Sequence, residues 1–439
     1  MTHPPRKSGV FRVPWVFTAL LAGFILCTTA GERFPVLLRL GMLLGVALAG
    51  LVVFRWSRTG IRIPLEIGIL CVFFVWAVGS GFLLVIDNDS FAQGVKRMVQ
   101  VVLVAGCVAS MAAMRRTPAI GFLAITGFAL VLVGYGFLTG DFAAAAEMTQ
   151  KGDRVVGHRA MSLTSNANAL GVSCVWALAG LAWLWRKANR LWQRGLLISL
   201  TLTLLAGAVY SGSRKALVLP PLFLLAWVWF CYRRLLLRRA AVFVAVGIAT
   251  AACVLGASFV LRDTFAGYRL RAALSAEGDG STEERRSMIE EGIQMVFEHP
   301  FAGVGLSQFR AGSGYTTYAH NDYVEVAATT GLVGFLTYYS IFALVAWRLV
   351  RTRGRCHDPE VNYTAGVCLA VLVTCAAAGF ALVMFSGISF WCFISAVVGF
   401  ASVAERNVSP RLVQSHQRRF RAVAIRRPKA VTALHSARR

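Results

Sequence analysis

Long apolar runs, separated by short polar segments, dominate the chain. A helix needs about 20 mostly apolar residues to cross the roughly 30 Å hydrocarbon layer of a membrane. Twelve stretches approach or exceed that length: 13–30, 35–54, 63–86, 95–114, 118–138, 164–185, 196–211, 215–232, 240–261, 322–347, 362–384 and 386–404. The pattern therefore predicts an all-α polytopic membrane protein with about twelve transmembrane helices.

These spans divide the chain into four parts. Spans one to nine fill residues 1–261, and spans ten to twelve fill residues 322–404. Between them, residues 262–321 form a polar segment that is too long to be an ordinary connection. Within it, Ser281-Thr282-Glu283-Glu284 has the pattern of a capping box and predicts an amphipathic helix that ends before Pro300. Residues 405–439 form a basic tail.

Composition agrees with a chain that faces lipid. Hydrophobic residues make up 57% of the sequence and charged residues only 15%, whereas soluble proteins average about 25% charged residues. So much apolar surface cannot fit inside globular cores. This excludes a soluble enzyme, a disordered protein and a secreted disulfide scaffold.

The formal net charge of +25 comes from 45 Lys and Arg against 20 Asp and Glu. In a soluble chain this excess would suggest nucleic acid as a partner. With the amino terminus in the cytoplasm, however, thirty of the bases and only four acids fall on the cytoplasmic side, as is typical of membrane proteins. The charges therefore predict two cytoplasmic termini, no nucleic-acid partner, and a tail held near anionic membrane lipids.

Familiar catalytic motifs are missing from the sequence. It contains no GxxxxGK[ST] phosphate loop, no HExxH and no GxSxG, and no Asp or Glu cluster has the spacing of metal ligands. We expect neither a cofactor nor a metal. Apart from Arg39, few ionisable residues lie deep in a span, which argues against a transporter with charges at mid-membrane.

Three polar features of the predicted outer segments remain as candidates for chemistry. Ser211-Gly212-Ser213-Arg214-Lys215 joins two spans and offers backbone amides and two cations for phosphate oxygens, although Arg and Lys also serve as simple anchors at membrane boundaries. Arg285-Arg286 begins the amphipathic helix, where cations oppose the helix dipole; pairing with neighbouring Glu residues is the alternative.

The third feature is His320-Asn321-Asp322, where the polar segment meets span ten. Histidine is the side chain best suited to proton transfer near neutral pH, and Asn321 and Asp322 are predicted to orient its imidazole. A structural role is the alternative for a single His at an interface. His299, before Pro300, has the position of a helix-end residue.

The order of these motifs resembles the O-antigen ligase superfamily, which contains lipopolysaccharide O-antigen ligases, O-antigen polymerases and bacterial protein O-oligosaccharyltransferases. The resemblance covers residues 205–345 and rests on four segments: Ser213-Arg214-Lys215; Arg285 followed by Glu298-His299-Pro300-Phe301-Ala302-Gly303-Val304-Gly305; His320-Asn321-Asp322-Tyr323-Val324-Glu325; and Gly331-Leu332-Val333-Gly334. It implies a GT-C-like membrane glycosyltransferase with a periplasmic active site in the bacterial inner membrane.

The resemblance further implies roles for single residues. His320 matches the essential His of the family, and Arg214 and Arg285 match its pyrophosphate-contacting arginines, with Lys215 and Arg286 beside them. The sequence leaves open whether Arg285 or Arg286 is the key cation. The expected activity is transfer of a polysaccharide from undecaprenyl pyrophosphate to lipid A–core, metal-independent and inverting. An O-antigen polymerase and, from another class, a polysaccharide or polyisoprenoid transporter are the alternatives.

Overall fold

The computed structural model describes residues 14–404 except 62, 83, 85, 147, 152–153, 165, 239–279 and 316. The helices of this part are α1 (Trp15–Ala30), α2 (Pro35–Thr59), α3 (Leu65–Gly81), α4 (Asn88–Arg115), α5 (Ala119–Leu138), α6 (Asp141–Ala146), α7 (Ala167–Trp185), α8 (Leu191–Tyr210), α9 (Arg214–Arg238), α10 (Gly280–Glu298), α11 (Phe309–Ser313), α12 (Asp322–Arg355), α13 (Pro359–Gly379) and α14 (Ile388–Ala404).

Eight of the described helices are long and apolar enough to cross a membrane: α2, α4, α5, α7, α8, α9, α12 and α13. Three further apolar helices, α1, α3 and α14, are shorter, at 16 or 17 residues. Together these eleven helices coincide with eleven of the twelve predicted spans. The predicted span 240–261 and the basic tail 405–439 lie outside the described residues. The protein is a polytopic, membrane-embedded helical protein.

The outer helices expose the apolar side chains that a soluble protein would bury. On α2, for example, Val36, Leu43 and Val46 are each about two thirds or more exposed. By contrast, α7 and α14 are buried along almost their whole length. This difference fits a bundle with a packed centre whose rim contacts lipid tails.

Small residues let the central helices approach closely. A Cβ atom at Gly399 of α14 would collide with the carbonyl of Ala109 on α4, and one at Gly180 of α7 would collide with Thr126 on α5. The Thr126 hydroxyl also donates a hydrogen bond across this second contact, to the carbonyl of Ala177 at 2.8 Å. Close backbone approach at small residues is a common way for membrane helices to associate.

One β-hairpin interrupts the helical pattern. Strand β1 (Met148–Lys151) pairs antiparallel with β2 (Arg154–Gly157), with Met148 opposite Gly157. The hairpin belongs to the first long connection, between α5 and α7. Apart from it, every regular element in the described part of the chain is helical, as predicted.

Helix α12 is broken near its amino-terminal end. Gly331 has φ 66°, and the carbonyls released by the break accept hydrogen bonds from other segments. Ala328 and Thr329 accept from the amides of Val304 and Gly305 at 2.8 and 3.0 Å, and Thr330 accepts from a Trp side chain of α3 at 2.9 Å. Irregular backbone at membrane depth is tolerated where protein groups satisfy it in this way.

Helix α10 packs on the first half of α12. Its predicted apolar face is buried at Met288 and Met295, which are 2% and 4% exposed, and between them Gly292 lies against Val324. The helix ends at Glu298, before Pro300, as the sequence predicts. This packing brings the amino-terminal part of α10, with Arg285 in its second turn, to the end of the bundle where α12 begins.

Candidate functional site

The turn between α8 and α9 is tightly folded and buried. Gly212 has φ 58°, a left-handed conformation that favours glycine. The three amides of the turn are used within it: Ser211 and Gly212 donate to the carbonyls of Gly207 and Val209, and Ser213 donates to the Ser211 hydroxyl at 3.2 Å. The sequence suggested these amides as phosphate donors, and this detail is wrong because the turn itself consumes them.

The side chains that follow the turn provide cationic and polar groups instead. Lys215 is buried, at 8% exposed, and Ser213 is 1% exposed. Within the described residues, neither the Lys215 ammonium nor the Ser213 hydroxyl has a hydrogen-bond partner. Arg214, the first residue of α9, is half-buried beside them. Buried polar groups are normally paired, so orphaned ones at a protein surface mark a candidate ligand site.

The two neighbouring arginines of α10 differ in their surroundings. Arg285 is half-buried and lies close enough to Lys215 and His320 to act on both electrostatically. The Arg286 side chain is 71% exposed and pairs with Glu290 at 3.0 Å. Arg286 therefore forms the surface pair that the sequence allowed as its alternative, and only Arg285 joins the buried cations.

His320 has an unusual backbone conformation. Its φ of 54° lies in the left-handed region, which costs a non-glycine residue roughly 1–3 kcal/mol and is concentrated at functional sites. The flanking residues hold it there. The amide of Ala319 donates to the Glu325 carboxylate at 2.8 Å, and Asn321 caps α12.

The imidazole of His320 is half-buried and packs edge-on against Tyr318, with ring centroids 4.5 Å apart. Its Nδ1 atom is buried and has no hydrogen-bond partner within the described residues. Burial, followed by the positive charges of Lys215 and Arg285, lowers the pKa of His320 to about 4. The ring is therefore neutral near pH 7, the state that can accept a proton.

The sequence suggested that Asn321 and Asp322 orient the imidazole, but their side-chain oxygens hydrogen-bond to other groups. The Asn321 side chain accepts from the amides of Tyr323 and Val324 at 3.0 and 3.2 Å. Asp322 is buried and accepts from two backbone amides, at Met384 and Phe385, and from a Tyr hydroxyl. Both oxygens of the Asp322 carboxylate are thus used: one binds the segment before α14, and the other binds the Tyr hydroxyl of α12.

Two residues of the site were not identified as candidates from the sequence. Glu325 was quoted only as part of a motif, and its carboxylate, 5% exposed, secures the segment that carries His320. Arg159 comes from the first long connection and acts electrostatically on Lys215. No motif or spacing in the sequence pairs Arg159 with Lys215. The one signal that could have identified Arg159 was its positive charge in a predicted outer segment.

His299 takes the helix-end position that the sequence suggested. It follows the last residue of α10, and its amide and carbonyl are both engaged, with Met295 and Gly303. After Pro300, Gly303 packs against the break in α12, and Gly305 lies against Gly81 of α3 while its amide donates to the carbonyl of Thr329. This segment therefore supports the broken helix.

We expect any activity of this site to be insensitive to EDTA. Within the described residues, no group of three or more His, Cys, Asp or Glu side chains has an arrangement that could hold a metal ion, and the cations of the site would repel one. Activity of the purified protein, measured with EDTA and again after addition of Mg²⁺, checks this. Loss in EDTA with recovery in Mg²⁺ would contradict it.

Comparison with known proteins gives a family-model match and distant similarities to solved structures. A chain from a structure described as "Structural coordination of polymerization and crosslinking by a peptidoglycan synthase complex" is 14% identical, covers 79% of this chain and 98% of that chain, and has a TM-score of 0.41. A similarity at this level carries no functional argument. No curated protein matches the chain. The O-antigen ligase family model matches residues 199–339, which include α9, α10 and the His320 segment. Residues 199–339 therefore match the O-antigen ligase family, which the motifs of this chain resemble.

Proposed function

We propose that this protein is an O-antigen ligase. It transfers a preassembled polysaccharide from undecaprenyl pyrophosphate to a sugar hydroxyl of lipid A–core. The reaction takes place at the periplasmic face of the bacterial inner membrane, in a GT-C-like helical bundle with both termini in the cytoplasm. The family match over residues 199–339 supports this assignment.

The observation that carries the proposal is a group of cations, buried Lys215 and half-buried Arg285, beside a neutral histidine. Lys215 and Arg285 act electrostatically on His320, although these residues come from three separate segments. Like charges repel at short range in a medium of low dielectric constant, so fold stability does not explain their convergence. A lipid-linked pyrophosphate would neutralise them and would bring its reacting carbon to the histidine.

The cations act on the leaving group. When the bond between the anomeric carbon and the phosphate oxygen breaks, the electron pair stays with the pyrophosphate. Arg285 and Arg214 stabilise the additional negative charge through the paired N–H groups of their guanidinium forks, and Lys215 adds a point charge. The energy of the donor bond drives the transfer, so no nucleotide is required.

His320 acts on the incoming group. A sugar hydroxyl is a weak nucleophile until a base removes its proton in the transition state. The hydroxyl oxygen of the acceptor forms the new bond to the anomeric carbon, its proton passes to His320, and undecaprenyl pyrophosphate departs. Direct displacement of this kind inverts the anomeric configuration.

The lipopolysaccharide ladder of a strain that lacks the gene tests the assignment. A ligase deletion is expected to remove all core-attached O-antigen while long chains accumulate on the carrier lipid. Complementation with the wild-type gene should restore the ladder. A deletion strain whose core carries a single repeat would instead assign the protein as an O-antigen polymerase, and an unchanged ladder would exclude both activities.

A further inference from the structure

Arg159 lies against the turn that precedes the buried lysine. Its Nε atom donates to the carbonyl of Ser211 at 3.2 Å, and one terminal nitrogen donates to the Asn168 side chain at 2.9 Å. The alkyl part of the side chain covers Gly212, where a Cβ atom would lie 3.4 Å from Arg159 Cγ. The guanidinium is thus held at the start of α9, although its own residue belongs to the connection after β2.

The segment around Arg159 is fixed on both sides. The carboxylate of Asp141 accepts from the amides of Met161 and Ser162 at 2.9 and 2.8 Å and from His158 at 2.6 Å. The amide of Ala160 donates to the end of α8 at 3.2 Å. These contacts give Arg159 a defined position.

The position of Arg159 adds a positive charge close to the buried ammonium group of Lys215, which already lies near Arg285. Arg159 and Arg285 both lie close enough to Lys215 to repel its ammonium group. Lys215 is more than nine-tenths buried, and its nitrogen has no hydrogen-bond partner within the described residues. Burying an ammonium group among like charges is costly unless an anion compensates it.

We propose that Arg159 is a third arginine of the donor site, which binds phosphate oxygens of the lipid-linked pyrophosphate together with Arg285 and Lys215. This inference rests on the proposed function, because it names a further residue of the same site. The donor phosphates are then held from three segments: the first long connection, the start of α9 and the amino-terminal part of α10. The first connection thereby becomes part of the binding site.

The competing explanation is that Arg159 only ties the first connection to the bundle. Arg33 offers a matched control, because it also anchors this connection, donating to the carbonyl of Ser162 at 2.6 Å. The charges that act on Lys215 are those of Arg285 and Arg159. Arg33→Gln therefore removes an anchor and leaves the cations of the site in place.

The experiment titrates inorganic pyrophosphate into the purified full-length protein in detergent, with binding and thermal midpoint measured for each variant. Arg159→Gln keeps one hydrogen-bond donor but loses the charge, and it is expected to weaken pyrophosphate binding roughly 10–100-fold, the value of one charge-assisted hydrogen bond. Arg33→Gln is expected to bind as the wild type does. If Arg159→Gln does not fold, Arg159→Lys should bind pyrophosphate more weakly than the wild type, because it lacks the fork.

Equal affinity of wild type and Arg159→Gln, or of wild type and Arg159→Lys where that variant is needed, overturns the inference and leaves the proposed function standing. An equal loss of affinity in Arg33→Gln also overturns it, because loop anchoring would then explain the effect. A wild-type protein that does not bind pyrophosphate counts against the donor site as a whole, and the ladder experiment then decides the proposed function separately.

Discussion

Replacement of His320 by alanine is expected to lower the rate of polysaccharide transfer by about 10²–10⁴-fold, the usual contribution of a positioned general base. The cations are untouched, so this variant should still bind the donor. Transfer in membranes or with purified protein, together with a pyrophosphate titration, measures the two effects separately. A parallel loss of both would indicate that the His320 segment has lost its structure.

His299→Ala provides the matched control, because this residue lies at a helix end and lacks the strained backbone of His320. It should retain most of the wild-type activity. If His299→Ala is inactive and His320→Ala is active, the catalytic residue is His299 and the site described above is misplaced.

The same role for His320 predicts the pH dependence of transfer. The base must be neutral to act, and its pKa is lowered from 6.5 to about 4. Values of kcat/KM, which report on the free enzyme, should therefore stay level as the pH falls through 6.5 and decline as it approaches 4. A decline centred near pH 6.5 would contradict the effect of burial and neighbouring cations.

Replacement of Arg285 by alanine is expected to lower transfer by about 10²–10³-fold, as when one preorganised donor to a developing negative charge is removed. Arg214→Ala should have an effect of the same kind. Lysine at either position should rescue only in part, because it lacks the planar fork of arginine. Transfer assays at matched expression, with membrane insertion checked separately, measure these losses.

Arg286→Ala is the neighbouring control for this series. Its side chain is exposed and pairs with Glu290 on the same helix, and exposed pairs contribute little to stability. We expect nearly full activity. Normal transfer by both Arg285→Ala and Arg214→Ala would remove these residues from the donor site.

The local pattern of the sequence was enough to predict most of the bundle. Eleven of the twelve predicted spans coincide with helices of the described chain, since hydropathy acts on each segment separately. The end of α10 before Pro300 was also predicted correctly, whereas Asn321 was expected to orient His320 and instead caps α12. Proline cannot continue a helix, and an Asn before an apolar run is a common cap. His320 and Arg285 were proposed as candidates through charge placement and motif order.

Only the tertiary structure decided which of these groups meet. It separates Arg285 from Arg286 because α10 packs on α12 through one face, which directs the first toward Lys215 and leaves the second exposed. It adds Arg159, since the docking of a loop onto the α8–α9 turn depends on contacts between distant segments. It also commits the Asp322 carboxylate to the segment before α14. Hydropathy and motif spacing are properties of residues that are close in sequence. A cationic site built from three distant segments depends instead on how the helices and the connection pack together.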